Sequence, residues 1–217
     1  TRSFHVTGVQ TCALPILLTL ADKLKKRADT APFYSNKKPI IATSFLENST
    51  RTKHSFSIAA QKLGGIYIDF NAETSSLKKG ETLEETLLTL KAQGVDLTII
   101  RTSVSNELSQ FKDSPPIRIV NGGDGTNQHP TQALLDLFTL IQTEKESLKG
   151  KTLTIIGDCI HSRVGNSLID LLPQFGIKVI LNGPKACLPT TPSDDIEIVL
   201  DTDEAIKRSD FLYLLRI

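Results

Sequence analysis

The chain contains no methionine, not even at position 1, so Thr1 reads as something other than a translation start. Cysteine is scarce: Cys12, Cys159 and Cys187 are odd in number, far apart and without a C-x-x-C spacing. That pattern argues against a disulfide framework or a zinc site and fits reduced thiols in a cytoplasmic protein. Net charge is nearly absent, because 25 basic residues face 24 acidic ones. With no basic stripe, neither a nucleic-acid nor an anionic-membrane surface is expected. No apolar run approaches membrane-spanning length. The chain also lacks G-x-x-x-x-G-K-[ST], and Gly157-Asp158-Cys159 is missing the later glycines of a dinucleotide fingerprint. An ATPase and an NAD enzyme are therefore set aside, and no cofactor is expected. Cys159 and His161 are two metal-ligand types without partners, so no metal is expected either.

The 217 residues that are present suffice for one large domain or two small ones. Residues 1–16 have no clear period and read as an adaptor or assembly scar. Residues 210–217 stop inside a strand pattern, so the chain reads as cut there. Between these ends, short β-branched runs alternate with helical periods. Strands are predicted at 39–45, 66–70, 95–100 and 117–121, with helices at 52–63, 82–93 and 133–141 between and after them. Gly122-Gly123-Asp124-Gly125 reads as a flexible loop. A second series follows: strands at 152–157, 178–182, 196–200 and 211–215, with helices at 164–172 and 202–208. The alternation predicts an α/β fold of two parallel-sheet domains with helices on both faces, the second incomplete. Residues 17–146 form the first domain and 147–217 the second, divided at the charged stretch 143–151.

The most informative segment is Phe45-Leu-Glu-Asn-Ser-Thr-Arg-Thr-Lys53, where a strand hands over to a helix. Unpaired backbone N–H groups and the positive end of the helix dipole favour an anion there. Arg51 adds a planar fork suited to two phosphate oxygens. An ordinary Ser/Thr cap beside a surface arginine explains the segment equally well when it is taken alone. In parallel α/β sheets, functional groups gather at the carboxyl ends of strands. By that rule Ser49, Thr50, Arg51, Thr52, Arg101, His129 and Gln132 can share one rim of the first domain. Residues 158–163 and Arg216 occupy equivalent ends in the second. Such a set binds anions and polarises a carbonyl, which fits a transfer whose nucleophile comes from the substrate. Singly, His129 reads as a helix cap, and Lys78 and Lys79 as a solvated turn.

FLENSTRT, TSSLKKGET, GGDGTNQHPTQALLDLF and GDCIHSRV, in this order, resemble the aspartate carbamoyltransferase family, with the likeness running from about residue 17 to 217. S-T-R-T and H-P-x-Q are shared with the ornithine enzymes, whereas the Ser-x-x-x-Lys-Gly-Glu loop favours the aspartate branch. The resemblance implies that Ser49, Thr50, Arg51 and Thr52 bind the phosphate of carbamoyl phosphate. It directs Thr52, Arg101 and His129 at the carbonyl oxygen, and Gln132 at the carbamoyl NH2. Arg163 and Arg216 would hold the carboxylates of L-aspartate. Ser75 and Lys79 would enter the active site of a neighbouring subunit, implying a homotrimer with shared sites; regulatory chains stay open as further partners. The implied reaction yields N-carbamoyl-L-aspartate for pyrimidine synthesis. Thr102 departs from the family, which often has histidine there, and a C-terminal part of the family pattern follows beyond Ile217. The rival readings are a carbamoyltransferase for another amine such as ornithine, and a binding fragment without turnover.

Overall fold

The computed structural model describes residues 14–26, 38–71, 75–144, 146–190 and 195–216. Its contacts divide the chain into two compact units, Thr1–Asp124 and Gly125–Ile217. Each is built on a four-stranded, all-parallel sheet.

The first unit contains α1 (Leu14–Lys26), β1 (Ile40–Phe45), α2 (Thr50–Lys62), β2 (Ile66–Asn71), α3 (Leu83–Ala92), β3 (Leu97–Thr102) and β4 (Arg118–Asp124). Its strand order is β2-β1-β3-β4. The chain leaves β1 in one direction through α2, then returns across it through α3 to reach β3. Right-handed crossovers in opposite directions place α2 and α3 on opposite faces of the sheet. One face buries Leu83, Leu87 and Leu90 of α3 with Ala42, Ile100 and Ile119 of the strands. Helix α3 opens on a reciprocal capping box. The Thr82 hydroxyl accepts from the Glu85 N–H, and the Glu85 carboxylate accepts from the Thr82 N–H.

The second unit contains α4 (Pro130–Thr143), β5 (Thr152–Ile156), α5 (Arg163–Leu171), β6 (Lys178–Asn182), β7 (Ile196–Ile198), α6 (Thr202–Lys207) and β8 (Phe211–Leu214). The strand order is β7-β6-β5-β8. Leu153, Ile155, Leu168, Leu171, Val179 and Leu181 are buried in its core. The charged stretch read as the domain boundary lies after α4. The division by contacts falls before that helix, because α4 packs on α5.

Several element boundaries differ from the sequence expectations. Helix α2 begins at Thr50, two residues early, and so includes the Ser-Thr-Arg-Thr segment in its cap and first turn. Strand β4 runs on through Asp124, so Gly122 and Gly123 belong to the strand, where the register with β3 shifts and Gly123 takes φ +121°. Of residues 1–16, the first thirteen lie outside the described residues, and Leu14 opens α1 with its side chain fully buried. Residues 72–74 of the loop carrying Ser75 and Lys79, and Ile217 at the C-terminus, also lie outside them.

Candidate functional site

In both sheets the order reverses at one place, with the chain winding away on either side. Ligands in open α/β sheets bind at the carboxyl edge beside such a switch point. In the first unit it falls between β1 and β3. Residues 46–52 follow β1, and Arg101 lies directly opposite Phe45 near the end of β3. In the second it falls between β5 and β8, followed by residues 157–163 and by Arg216 respectively.

In the first unit, Ser49 is the N-cap of α2 with extended backbone, and its side chain makes no capping hydrogen bond. The first intrahelical bond runs from the Lys53 N–H to the Ser49 carbonyl at 3.3 Å. The N–H groups of Thr50, Arg51 and Thr52 precede it and point out of the helix end. No acidic residue occupies the first turn, so the positive dipole end is not neutralised there. Arg101 is held in place: its Nε donates to Glu47 Oε1 at 2.6 Å, and its Nη1 to Thr52 Oγ1 at 3.3 Å and to the Gly122 carbonyl at 3.4 Å. Both charged side chains are largely enclosed, with Arg101 13% and Glu47 20% exposed. Arg51, in contrast, projects into solvent. Lys53 pairs with Asp69 at 2.8 Å, tying α2 to β2.

Ser75 immediately precedes a 3-10 turn, Ser76–Lys79; its hydroxyl accepts from the Leu77 N–H at 3.3 Å, and Lys79 at the end of the turn is exposed. Thr102, the departure from the family pattern, is buried; its hydroxyl donates to Glu107 and accepts from the Val104 N–H at 3.1 Å.

In the second unit, His129 is the N-cap of α4 and is only 7% exposed, yet its side chain makes no capping bond. Its N–H donates to Ser167 Oγ at 2.8 Å, and that hydroxyl in turn donates to Gln128 Oε1. Gln128 also donates to Asp170 at 2.9 Å, so α5 fixes the start of α4. Thr131 Oγ1 lies 3.4 Å from His129 Nδ1; with the hydroxyl as donor, the ring proton sits on Nε2. Gln132 Nε2 donates to Asp136 Oδ1 at 2.9 Å, and Tyr213 donates to Asp136 Oδ2 at 3.0 Å. Burial pushes the Asp136 carboxyl above its ordinary range. Burial also drives the Tyr213 phenol up, followed by the effect of the Asp136 charge.

Arg163 is the first residue of α5, whose Ser162 cap accepts from the Gly165 N–H at 3.0 Å. The exposed Arg216 sits beside the end of β5, its carbonyl accepting from the Asp158 N–H at 3.3 Å. Gly157 permits this approach. It has φ +129°, and a Cβ there would lie 2.8 Å from the Leu215 carbonyl oxygen. His161 Nδ1 pairs with Asp158 at 2.9 Å, which holds that carboxyl below its usual range. Cys159 is buried, and burial pushes its thiol up to about 11, so it is inert at neutral pH. A cleft of about 800 Å3 opens at the other, amino-terminal end of this sheet, lined by Thr152, Lys178, Glu197 and Arg208 among others. Arg208 is committed to Glu197 and Glu204, and the cleft contains none of the expected site residues.

The structure therefore joins Thr52 to Arg101 directly and lines Ser49–Thr52 along one helix end. It sets His129 and Gln132 together at the start of α4, and Arg163 and Arg216 at the β5–β8 edge. Sequence reasoning missed the residues that hold these groups: Glu47, Gln128, Ser167, Asp136 and Tyr213. Glu47, Gln128 and Asp136 stood inside segments already singled out, without a role of their own, and Ser167 and Tyr213 stood outside those motifs.

A family model described as "Aspartate/ornithine carbamoyltransferase, carbamoyl-P binding domain" matches residues 4–142. The aspartate carbamoyltransferase catalytic subunit of Chlorobium phaeobacteroides is 42% identical over 98% of this chain and 71% of its own length. That of Campylobacter fetus is 44% identical over 82% of this chain, an alignment spanning 57% of the relative. Among solved structures, the aspartate transcarbamoylase of Trypanosoma cruzi in complex with aspartate and phosphate superposes with a TM-score of 0.85 at 31% identity. The match covers 100% of this chain and 76% of that one.

Proposed function

The chain belongs to the aspartate/ornithine carbamoyltransferase family, and from that premise we propose that it transfers the carbamoyl group of carbamoyl phosphate to the amine of L-aspartate. The products are N-carbamoyl-L-aspartate and phosphate, a step of pyrimidine biosynthesis. The observation that carries this reading is the helix end of Ser49–Thr52 backed by Arg101, whose guanidinium is bonded to both Thr52 and Glu47.

Each residue has a role that its geometry suits. The N–H groups and hydroxyls of Ser49, Thr50 and Thr52 take the phosphate, and the exposed Arg51 follows it as charge develops on the leaving group. Thr52, Arg101 and the Nε2–H of His129 donate to the carbonyl oxygen. That oxygen becomes an oxyanion when the amine adds. Gln132 accepts from the carbamoyl NH2. Arg163 and Arg216 hold the two carboxylates of aspartate. The amine lone pair forms the new C–N bond, the tetrahedral intermediate expels phosphate by breaking its C–O bond, and the proton released by nitrogen leaves with phosphate. No side chain of this set acts as nucleophile, so catalysis rests on positioning and charge stabilisation.

Lys79 is exposed at the end of the turn that follows Ser75, and this supports the service of this loop to a neighbouring copy in a homotrimer. The reduced state of Cys159 and Cys187 supports a cytoplasmic setting, and no described helix is long and apolar enough to cross a membrane.

The test is carbamoyl transfer by the full-length gene product, with L-aspartate and L-ornithine offered separately. Product from aspartate alone is expected. Product from ornithine alone would overturn the acceptor, and no product from either would overturn the reading.

A further inference from the structure

Resting on the proposed carbamoyl transfer, we propose that Asp136 and Tyr213 are positioning residues that turn the Gln132 amide so that its carbonyl oxygen, not its NH2, faces the carbamoyl group. Gln132 sits in the first turn of α4 and Asp136 four residues on, which places them on one helix face. Each carboxylate oxygen of Asp136 has one donor: Gln132 Nε2 at 2.9 Å on Oδ1 and the Tyr213 hydroxyl at 3.0 Å on Oδ2.

An ionised carboxylate only accepts, and a phenol has a single proton to give. Tyr213 spends that proton on Oδ2. Oδ1 is then left to accept, and the only group on Gln132 able to satisfy it is the NH2. The amide is thereby fixed with Oε1 directed away from Asp136. A primary carbamoyl nitrogen carries two N–H donors and calls for an acceptor of this kind. Without the tie, the amide could present either end, and the wrong end would set donor against donor.

The same tie has a second reach. Tyr213 lies on β8, three residues before Arg216, to which the proposed function assigns a carboxylate of the acceptor. The hydroxyl contact thus fastens the start of α4 to the strand that delivers Arg216. Asp136 and Tyr213 are half-buried, which supports this role, since a partly shielded carboxylate keeps two fixed donors in preference to exchanging water.

The decisive variant is Asp136→Asn in the full-length gene product, which is isosteric yet can present an NH2. With the Tyr213 hydroxyl donating to the asparagine oxygen, the asparagine NH2 meets Gln132 and the glutamine amide reverses. Carbamoyl phosphate should then bind about tenfold more weakly, the scale of one misdirected hydrogen bond. Inorganic phosphate, which lacks the carbamoyl nitrogen, should bind as before, both affinities being read by calorimetry. Gln132→Ala should match that loss, and Asp136→Asn/Gln132→Ala should lose no more than either single variant. Tyr213→Phe should shift carbamoyl phosphate in the same direction by a smaller factor, and it provides the reading should Asp136→Asn fail to fold. Wild-type carbamoyl phosphate affinity in both Asp136→Asn and Tyr213→Phe would overturn the tie alone, as would an equal loss for both ligands. Unchanged affinity in Gln132→Ala would overturn the tie together with the role of Gln132, and an inactive parent would overturn the underlying reaction.

Discussion

Replacing His129 with alanine separates a carbonyl-oxygen donor from a structural histidine. The main-chain N–H of residue 129 donates to Ser167 at 2.8 Å, and alanine keeps that bond. Pro130 at the first helical position also stays, so α4 still starts where it does. The side chain makes no capping bond, so the cost of roughly 1 kcal/mol for losing a cap does not apply. The loss falls on chemistry. Removing one preorganised oxyanion donor costs about 2.7–4 kcal/mol, or roughly 100- to 1,000-fold in kcat. Steady-state kinetics with saturating carbamoyl phosphate and varied aspartate should show that fall with KM for aspartate little changed. His129→Gln restores an N–H donor and should recover part of it. A kcat within threefold of wild type would refute the assignment. A large fall in Tm accompanying the lost activity would return His129 to a structural role.

Arg51→Ala should abolish most turnover by removing the mobile charge on the departing phosphate, while leaving stability within about 0.5 kcal/mol because the side chain is exposed; near-normal kcat would sink it. Thr82→Ala removes the hydroxyl side of the capping box and should cost about 1 kcal/mol in urea unfolding, with kcat intact. For Asp136 the folded pKa is raised above the unfolded value, so the native state holds the extra proton in that interval. Its contribution to stability is greatest below the ordinary carboxylate pKa and falls as pH rises through the raised value. Unfolding curves across the acid range should therefore show Asp136→Asn gaining on wild type as pH rises, and a constant difference would contradict this. Lys79→Ala and His129→Ala should each be nearly inactive, yet mixing them under subunit exchange should rebuild some intact sites; mixed trimers as inactive as their parents would exclude sharing.

The central strands β1, β3, β5 and β6 were legible because largely buried strands are continuous apolar runs, which stand out between helical periods. The misreadings lie where backbone, not side chain, decides. Strand β4 continues through Gly122 and Gly123, residues that read as loop. A Cβ at Gly122 would lie 3.2 Å from the Ile100 carbonyl, so the close approach of β3 favours glycine inside the ladder. Just before it, Asn121 ties the strand end by accepting from the Gly123 N–H and donating to Asp124. Strand β3 starts at Leu97, two residues late, because the Val95 N–H returns to the Leu90 carbonyl and belongs to the end of α3.

Several expected site residues were legible for a different reason: Ser49–Thr52, His129, Gln132 and Arg163 are local to helix N-termini, where neighbours along the chain are neighbours in space. Their supports are not local. Glu47 reaches Arg101 across 54 residues, His129 reaches Ser167 across 38, and Asp136 reaches Tyr213 across 77. Sequence separation hides such pairs, and only the fold reveals them. Under the proposed reaction they also divide Arg101 and Arg51 by task. Arg101 is enclosed and held in one orientation by Glu47 and Thr52, as a donor must be to meet an oxygen whose position is set by bonding. The solvent-facing Arg51 is suited to a phosphate that has to leave. The carboxylate of Glu47 beside the proposed phosphate site would lower the local positive potential, and its compensation is the fixed geometry of Arg101. Glu47→Ala should accordingly hold inorganic phosphate at least as tightly while losing kcat, because attraction rises as aim is lost. Parallel losses of phosphate affinity and kcat would show that Glu47 supports the site only as scaffold.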